Sequence, residues 1–186
     1  MRYEQALSRA GLPNIPFRSE PLLNGHGTYE GLEPSQRKRL LWSFNVLVQR
    51  LPISYATFFY RRSEYPNPED LSRRMERDIE TFMSDSLDFF QTFDDMKVCY
   101  DGGQSIVERA LYGAAGGILS RNVVVRRKTA MSVYRLEQVA DYLCTIELAA
   151  VKYAVHEDGE TYSKFFGGVG AFKRNWLKQA RRKRMN

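Results

Sequence analysis

The alternation of apolar and polar positions divides the chain into helical and extended stretches. Residues 1 to 10 suffice for a helical turn or two, closed by Gly11 and Pro13. From there to Pro34 the sequence PNIPFRSEPLLNGHGTYEGLEP reads as a long loop, a length uncommon in a compact domain unless the loop has a task. Pro34 suits the first turn of a helix, and Leu40, Leu41, Phe44, Leu47, Val48 and Leu51 recur at helical spacing until Pro52. The stretch ISYATFFY (53–60) is β-branched and aromatic and predicts a strand. Asn67 then offers an N-cap, Pro68 the first helical position, and Glu69 and Asp70 acids where the helix dipole favours them. The apolar face that follows, Leu71, Met75, Ile79, Phe82, Met83, Phe90 and Phe93, is that of a core helix.

Short strands are predicted at MKVCY (96–100) and NVVVRR (122–127). Between them Val107, Ala110, Leu111, Ala114, Ala115 and Ile118 form a narrow stripe suited to lying close against a sheet. A last long helix is predicted from about Tyr134 to about Val155, with Leu136, Val139, Ala140, Leu143, Ile146 and Ala150 facing inward. Strands alternating with helices in this order predict an α/β domain of right-handed crossovers.

Length and composition fit one globular domain: 186 residues, 43% hydrophobic and 13% aromatic. No apolar run is long enough for a membrane span and the start has no secretory h-region, so the expected setting is cytoplasmic, with no membrane partner. Cys99 and Cys144 lack metal-ligand spacing and read as free thiols. The charge changes the picture more. The net is +6, yet the last fourteen residues, KRNWLKQARRKRMN, hold seven Lys and Arg and no acid. The expected organisation is therefore a near-neutral domain over 1–172 and a basic tail over 173–186. Such a tail suits a nucleic-acid backbone through Lys173, Arg174, Lys178, Arg181 and Arg182, and it equally suits solubility alone. Phe172 and Trp176 among these cations could stack on bases or dock the tail onto the domain.

Two carboxylates stand out. Asp101 follows a predicted strand and precedes two glycines, where α/β sheets collect functional groups and where an Asx-turn or N-cap would also be found. Asp141 shares a polar strip with Tyr134, Gln138 and Thr145 on an otherwise apolar helix, and such a strip needs partners. Arg126, Arg127 or Lys128 would serve, as would a divalent cation shared with Asp101, for which Mg²⁺ or Mn²⁺ has the right oxygen preference. His26, in the glycine-rich NGHG, fits a turn better than a catalytic base, and GGVG (167–170) fits a hinge better than a phosphate nest.

The segments FFYRRSEY, KVCYDGGQ, VVVRRK and YRLEQVADYLCTIELA resemble the RNase H-like family of bacterial and phage proteins catalogued as a domain of unknown function, number thirty-eight hundred in that series. The likeness runs from about Phe17 to about Trp176, carried chiefly by Asp101-Gly-Gly103-Gln104 and by Gln138, Ala140 and Asp141. It implies an RNase H-like mixed sheet flanked by helices. It also implies a metal-dependent nuclease or phosphoryl-transfer site with Asp101 and Asp141 as catalytic ligands; apart from the resemblance, Glu20 could add a metal-binding carboxylate from the loop or serve surface solvation. The family's opening Asp-Glu-Ser-Gly strand has no counterpart before Phe17, so the implied sheet is N-terminally shortened. A shortened sheet exposes an edge, for which the expected outcomes are a homodimer, a compensating rearrangement or poor behaviour in solution. The alternative is a non-catalytic nucleic-acid-binding or protein-interaction domain that has lost its first metal-binding strand.

Overall fold

The computed structural model describes residues 3–93, 96–100, 105–118, 123–127 and 135–185. They form two compact units: Met1–Thr57 with Tyr134–Asn186, and Phe58–Val133. The expected α/β RNase H-like mixed sheet is not formed. The described residues are overwhelmingly helical, and their one sheet is a pair of five-residue parallel strands.

The first unit is built from helices α1 (Tyr3–Arg9), α2 (Ser19–Asn24), α3 (Pro34–Arg50), α7 (Arg135–Ala154), α8 (Gly159–Phe166), α9 (Val169–Phe172) and α10 (Lys178–Arg181), with a π-helical turn at Lys173–Leu177. Its core is aromatic. Phe17 stacks on Phe44 at 4.0 Å between centroids, and Tyr142 meets both rings edge-on. A second group lies toward the C-terminus, where Tyr153 stacks on Phe172 and Phe166 stands edge-on to Trp176.

ISYATFFY is not a strand. Within it only Tyr55 makes a bridge, parallel to Arg184, with Tyr55 N donating to the Lys183 carbonyl and Met185 N to the Tyr55 carbonyl. Ile53 and Tyr55 lean on the helical core instead, so burial against helices satisfies these side chains where a sheet was expected. The supposed loop from Gly11 to Pro34 also contains α2 and a 3-10 turn at Gly27–Tyr29.

The helix predicted near Tyr134–Val155 is α7, and Val139, Leu143, Ile146 and Ala150 face inward as expected, but the face is rotated at its start. Leu136 is 64% exposed and Ala140 is exposed, whereas Glu137, Gln138, Tyr142 and Glu147 are buried beside Val139, Leu143 and Ile146. The apolar pattern alone misses part of the inward face because the buried polar side chains Gln138 and Glu147 meet partners there. The clearest is Glu147, whose side chain is 10% exposed. It receives Arg181 through both Nε and Nη2, the latter at 2.7 Å, and the Tyr55 hydroxyl at 2.8 Å. Arg184 stands 3.8 Å away. With the Lys183 ammonium on the Leu51 carbonyl at 2.5 Å, this clasp ties residues 51–55 and 181–185 to α7.

The C-terminal stretch is thus part of the unit's core, with Phe172, Trp176, Leu177 and Ala180 buried.

The second unit contains α4 (Pro68–Asp85), α5 (Leu87–Phe90), strand β1 (Met96–Tyr100), α6 (Ser105–Ile118) and strand β2 (Val123–Arg127). The cap at Asn67 forms as its sequence suggests, its side chain accepting from Glu69 N at 3.0 Å. β1 and β2 pair in parallel, Met96 opposite Val123 and Tyr100 opposite Arg127. The small-residue stripe of α6 lies against α4 rather than under a broad sheet: Ala110 and Ala114 are fully buried, and a side chain at Gly113 would collide with the Glu76 carboxylate. Two short strands cannot layer a core by themselves, which leaves helix-on-helix packing to supply it.

Glu147 gives a test of the clasp. Burial opposes its charge, but Arg181, the Tyr55 hydroxyl and Arg184 outweigh that and hold its carboxyl below the usual range. A depressed carboxylate contributes stability above its unfolded pKa, and that contribution is lost as pH falls through the lower folded value. We expect Glu147→Gln to cost about 1–3 kcal/mol at neutral pH, and the parent's advantage over it to shrink below about pH 4.5. Urea melts of both proteins between pH 3 and 7 check this.

Candidate nucleic-acid interface

The residues with candidate chemistry fall into three places. Asp101 lies outside the described residues, as do Lys128, one of the cations considered as a partner of the strip on α7, and Tyr134, a member of that strip. The remaining carboxylates, Asp141 and Glu20, belong to the approach to α2.

Residues 16–19 run across α7 with their backbone polar groups met by side chains. Gln138 Oε1 accepts from Phe17 N at 3.0 Å, and Asp141 Oδ2 accepts from Ser19 N at 2.6 Å. The Tyr29 hydroxyl accepts from Arg18 N and donates to the Pro16 carbonyl, both at 3.0 Å. Burial, partly offset by the Arg18 amide, pushes that phenol up to about 12, so it stays protonated and able to donate. Two members of the polar strip of α7, Gln138 and Asp141, therefore each accept from a backbone amide of this approach. Arg18 supplies no side-chain cap to α2, so the carboxylate of Asp141 takes that part from a neighbouring helix.

The other end of α2 is closed from α3. Buried Arg37 donates through Nη1 to the Leu22 and Leu23 carbonyls at 2.7 and 2.8 Å, and its guanidinium lies over the Phe165 ring. Gly25 ends the helix in the left-handed region at φ 77°, with a Cβ position only 2.9 Å from the Arg37 guanidinium carbon. A six-residue helix is marginal alone, and these two side chains fix it between α3 and α7.

Glu20 is exposed and bonded locally, to Nε2 of His26 at 3.0 Å and to Nδ2 of Asn24 at 2.8 Å; these bonds hold its carboxyl below the usual range. Glu20 and Asp141 flank the start of α2, but no group of three or more His, Cys, Asp or Glu able to hold a metal ion occurs among the described residues. The Mg²⁺ or Mn²⁺ site inferred for Asp101, Asp141 and Glu20 thus draws no support from the described part of the chain.

The basic residues form the third place. Lys173, Arg174, Lys178 and Arg182 are exposed along the run from the π-helical turn through α10, while Phe172, Trp176, Leu177 and Ala180 pin the opposite side into the core. Arg181 differs, because Glu147 holds its guanidinium. Of the two roles open to Phe172 and Trp176, docking is the one observed. The charge is unevenly shared: the first unit carries 17 Lys and Arg against 10 Asp and Glu, a surplus of seven, whereas the second carries 11 against 12. The sequence reading also passed over Trp42, which is 49% exposed and stands edge-on to Trp176 at 5.4 Å. The signal was there: a tryptophan one turn beyond Lys38 and Arg39, on the solvated side of an amphipathic helix.

A structural role for Asp141 has a direct consequence. Asp141→Asn should lower stability by about 1 kcal/mol by weakening a charged hydrogen bond to the Ser19 amide. Added Mg²⁺ or Mn²⁺ should shift the melting temperatures of parent and variant equally. Calorimetric scans with and without the metals read both effects.

The RNase H-like expectation is corrected by the helical architecture. Among known proteins, no family model, no curated protein and no solved structure matches this chain.

Proposed function

We propose that the chain is a non-catalytic nucleic-acid-binding protein that engages the phosphate backbone through the ordered basic ridge of its helical unit. The observation that carries this reading is the fixing of Lys173, Arg174, Lys178 and Arg182 on a helical run whose other side is buried. Cations on a disordered tail must be ordered on binding. Cations on a docked helix have already lost that freedom, so less of the electrostatic gain is spent on ordering. Neutralising phosphates releases counterions and makes affinity fall steeply with salt. The surplus of seven positive charges in this unit supports a long-range attraction of the same sign. Backbone contacts carry little sequence information, so the expected binding is sequence-tolerant.

The Lys173→Gln, Arg174→Gln, Lys178→Gln triple variant should bind labelled DNA and RNA more weakly for every sequence tried, by roughly tenfold or more at 100 mM salt. The slope of log affinity against log salt should become shallower by about 2–3. Anisotropy titrations between 50 and 250 mM KCl measure both quantities. Unchanged slopes would remove the ridge from the interface. Arg181 is left intact in this variant because its loss would open the Glu147 clasp.

A further inference from the structure

The helical unit has a groove of about 410 Å³ between the start of the chain, α3, α8 and the π-helical turn. Its walls are Leu12, Trp42, Phe165 and Trp176, and Lys38 and Arg39 stand on its rim. From this we infer that the groove takes one unpaired base of a nucleic-acid strand, stacked on the exposed part of Trp42, with Lys38 and Arg39 meeting the flanking phosphates. The inference deepens the backbone-binding function proposed above and rests on it.

Four observations lead to a base rather than another occupant. The volume falls within the range of small-ligand sites, which suits a flat group of nucleobase or nucleoside size. Trp42 is half-exposed yet held: its ring stands at 87° to that of Trp176, and Trp176 is in turn backed edge-on by Phe166 at 5.3 Å. A platform so positioned loses little freedom when a ring stacks on it. Arg39 is also fixed, donating through Nη2 to the Ala10 carbonyl at 2.6 Å, which keeps a cation at the rim. Among the described residues no acidic side chain lines the groove, so its charge suits an anionic ligand with an aromatic part. Trp176 itself belongs to the π-helical turn Lys173–Leu177, a rare widened geometry often kept where a side chain must be aimed.

The groove also indicates what it would select. Among the described residues that line it, Ser43 is the one hydroxyl and no Asn, Gln, Asp or Glu is present, so there is little with which to distinguish one base edge from another. Bases in a duplex keep their faces stacked on one another, whereas those of a single strand are free to leave the stack. Preference for single strands with tolerance of sequence is the result.

The chain has two tryptophans, and both line this groove, so its intrinsic fluorescence reports on the site without a label. The test titrates the full chain with a twelve-residue thymidine strand, an abasic strand of equal length, a duplex of equal length and an acidic peptide containing tyrosine. The proteins are the parent, Trp42→Ala, Trp42→Phe and the ridge triple variant, with circular dichroism to confirm that each is folded. The thymidine strand should quench the parent and bind about tenfold more tightly than the abasic strand. Trp42→Ala should lose that difference while keeping its abasic affinity, and Trp42→Phe should retain part of it. Equal binding of thymidine and abasic strands by the parent overturns the groove inference; if the ridge variant then still weakens both, the backbone function stands. Absence of binding to every strand overturns both. Quenching by the peptide alone makes the occupant a protein segment and overturns the base.

Discussion

Glu147 carries a charge in surroundings where an unpaired charge would be costly, and the cost is met by drawing two distant pieces of chain onto α7. Arg181 comes from the C-terminal run and Tyr55 from the segment after α3. Their meeting point also fixes the backbone bridge between Tyr55 and Arg184 and the docking of Phe172, Trp176 and Leu177. Without that arrangement the final residues would be a flexible cationic tail. With it they form a helix whose exposed side carries the proposed ridge and whose buried side contributes Trp176 to the wall of the groove. An ion pair of this kind is a weak source of net stability, and its larger effect here is to specify which segments adjoin.

Much of the helical framework was legible from local rules. Pro34 and the 3.6-residue spacing from Leu40 to Leu51 give α3, and Asn67 with Pro68 gives the start of α4. What failed depended on distant partners. ISYATFFY has strong β character, yet nothing local reveals that Ile53 and Tyr55 will find a helical surface. The inward face of α7 was misjudged because Gln138 and Glu147 count as polar until their partners, the Phe17 amide and Arg181, are known. A six-residue helix such as α2 escapes periodicity altogether, since its supports, Asp141 and Arg37, lie on α7 and α3.

Asp141 illustrates how one feature admits two chemistries. A carboxylate on an apolar helix needs a positive partner, and a strip of polar residues around it suits a metal ion as readily as a row of amides. Its placement against the Ser19 amide gives it one such partner, which short motif likeness could not have disclosed. The same holds for Phe172 and Trp176, whose burial leaves Trp42 as the ring available for contact. The candidate interface was therefore half visible, its charges in the sequence and its aromatic platform only in the fold.

The helical unit is discontinuous, made from Met1–Thr57 and Tyr134–Asn186 with the other unit's sequence between them. During synthesis, Phe17 and Phe44 emerge from the ribosome long before Tyr142, and Glu147 before Arg181. The nascent first segment must hold its apolar surface open while the whole intervening unit is translated, and α2 lacks its Asp141 support from α7 in that interval. Closure of the unit consequently waits on the segment from Tyr134 onward. That delay makes the first segment a natural client for holding factors at the ribosome exit.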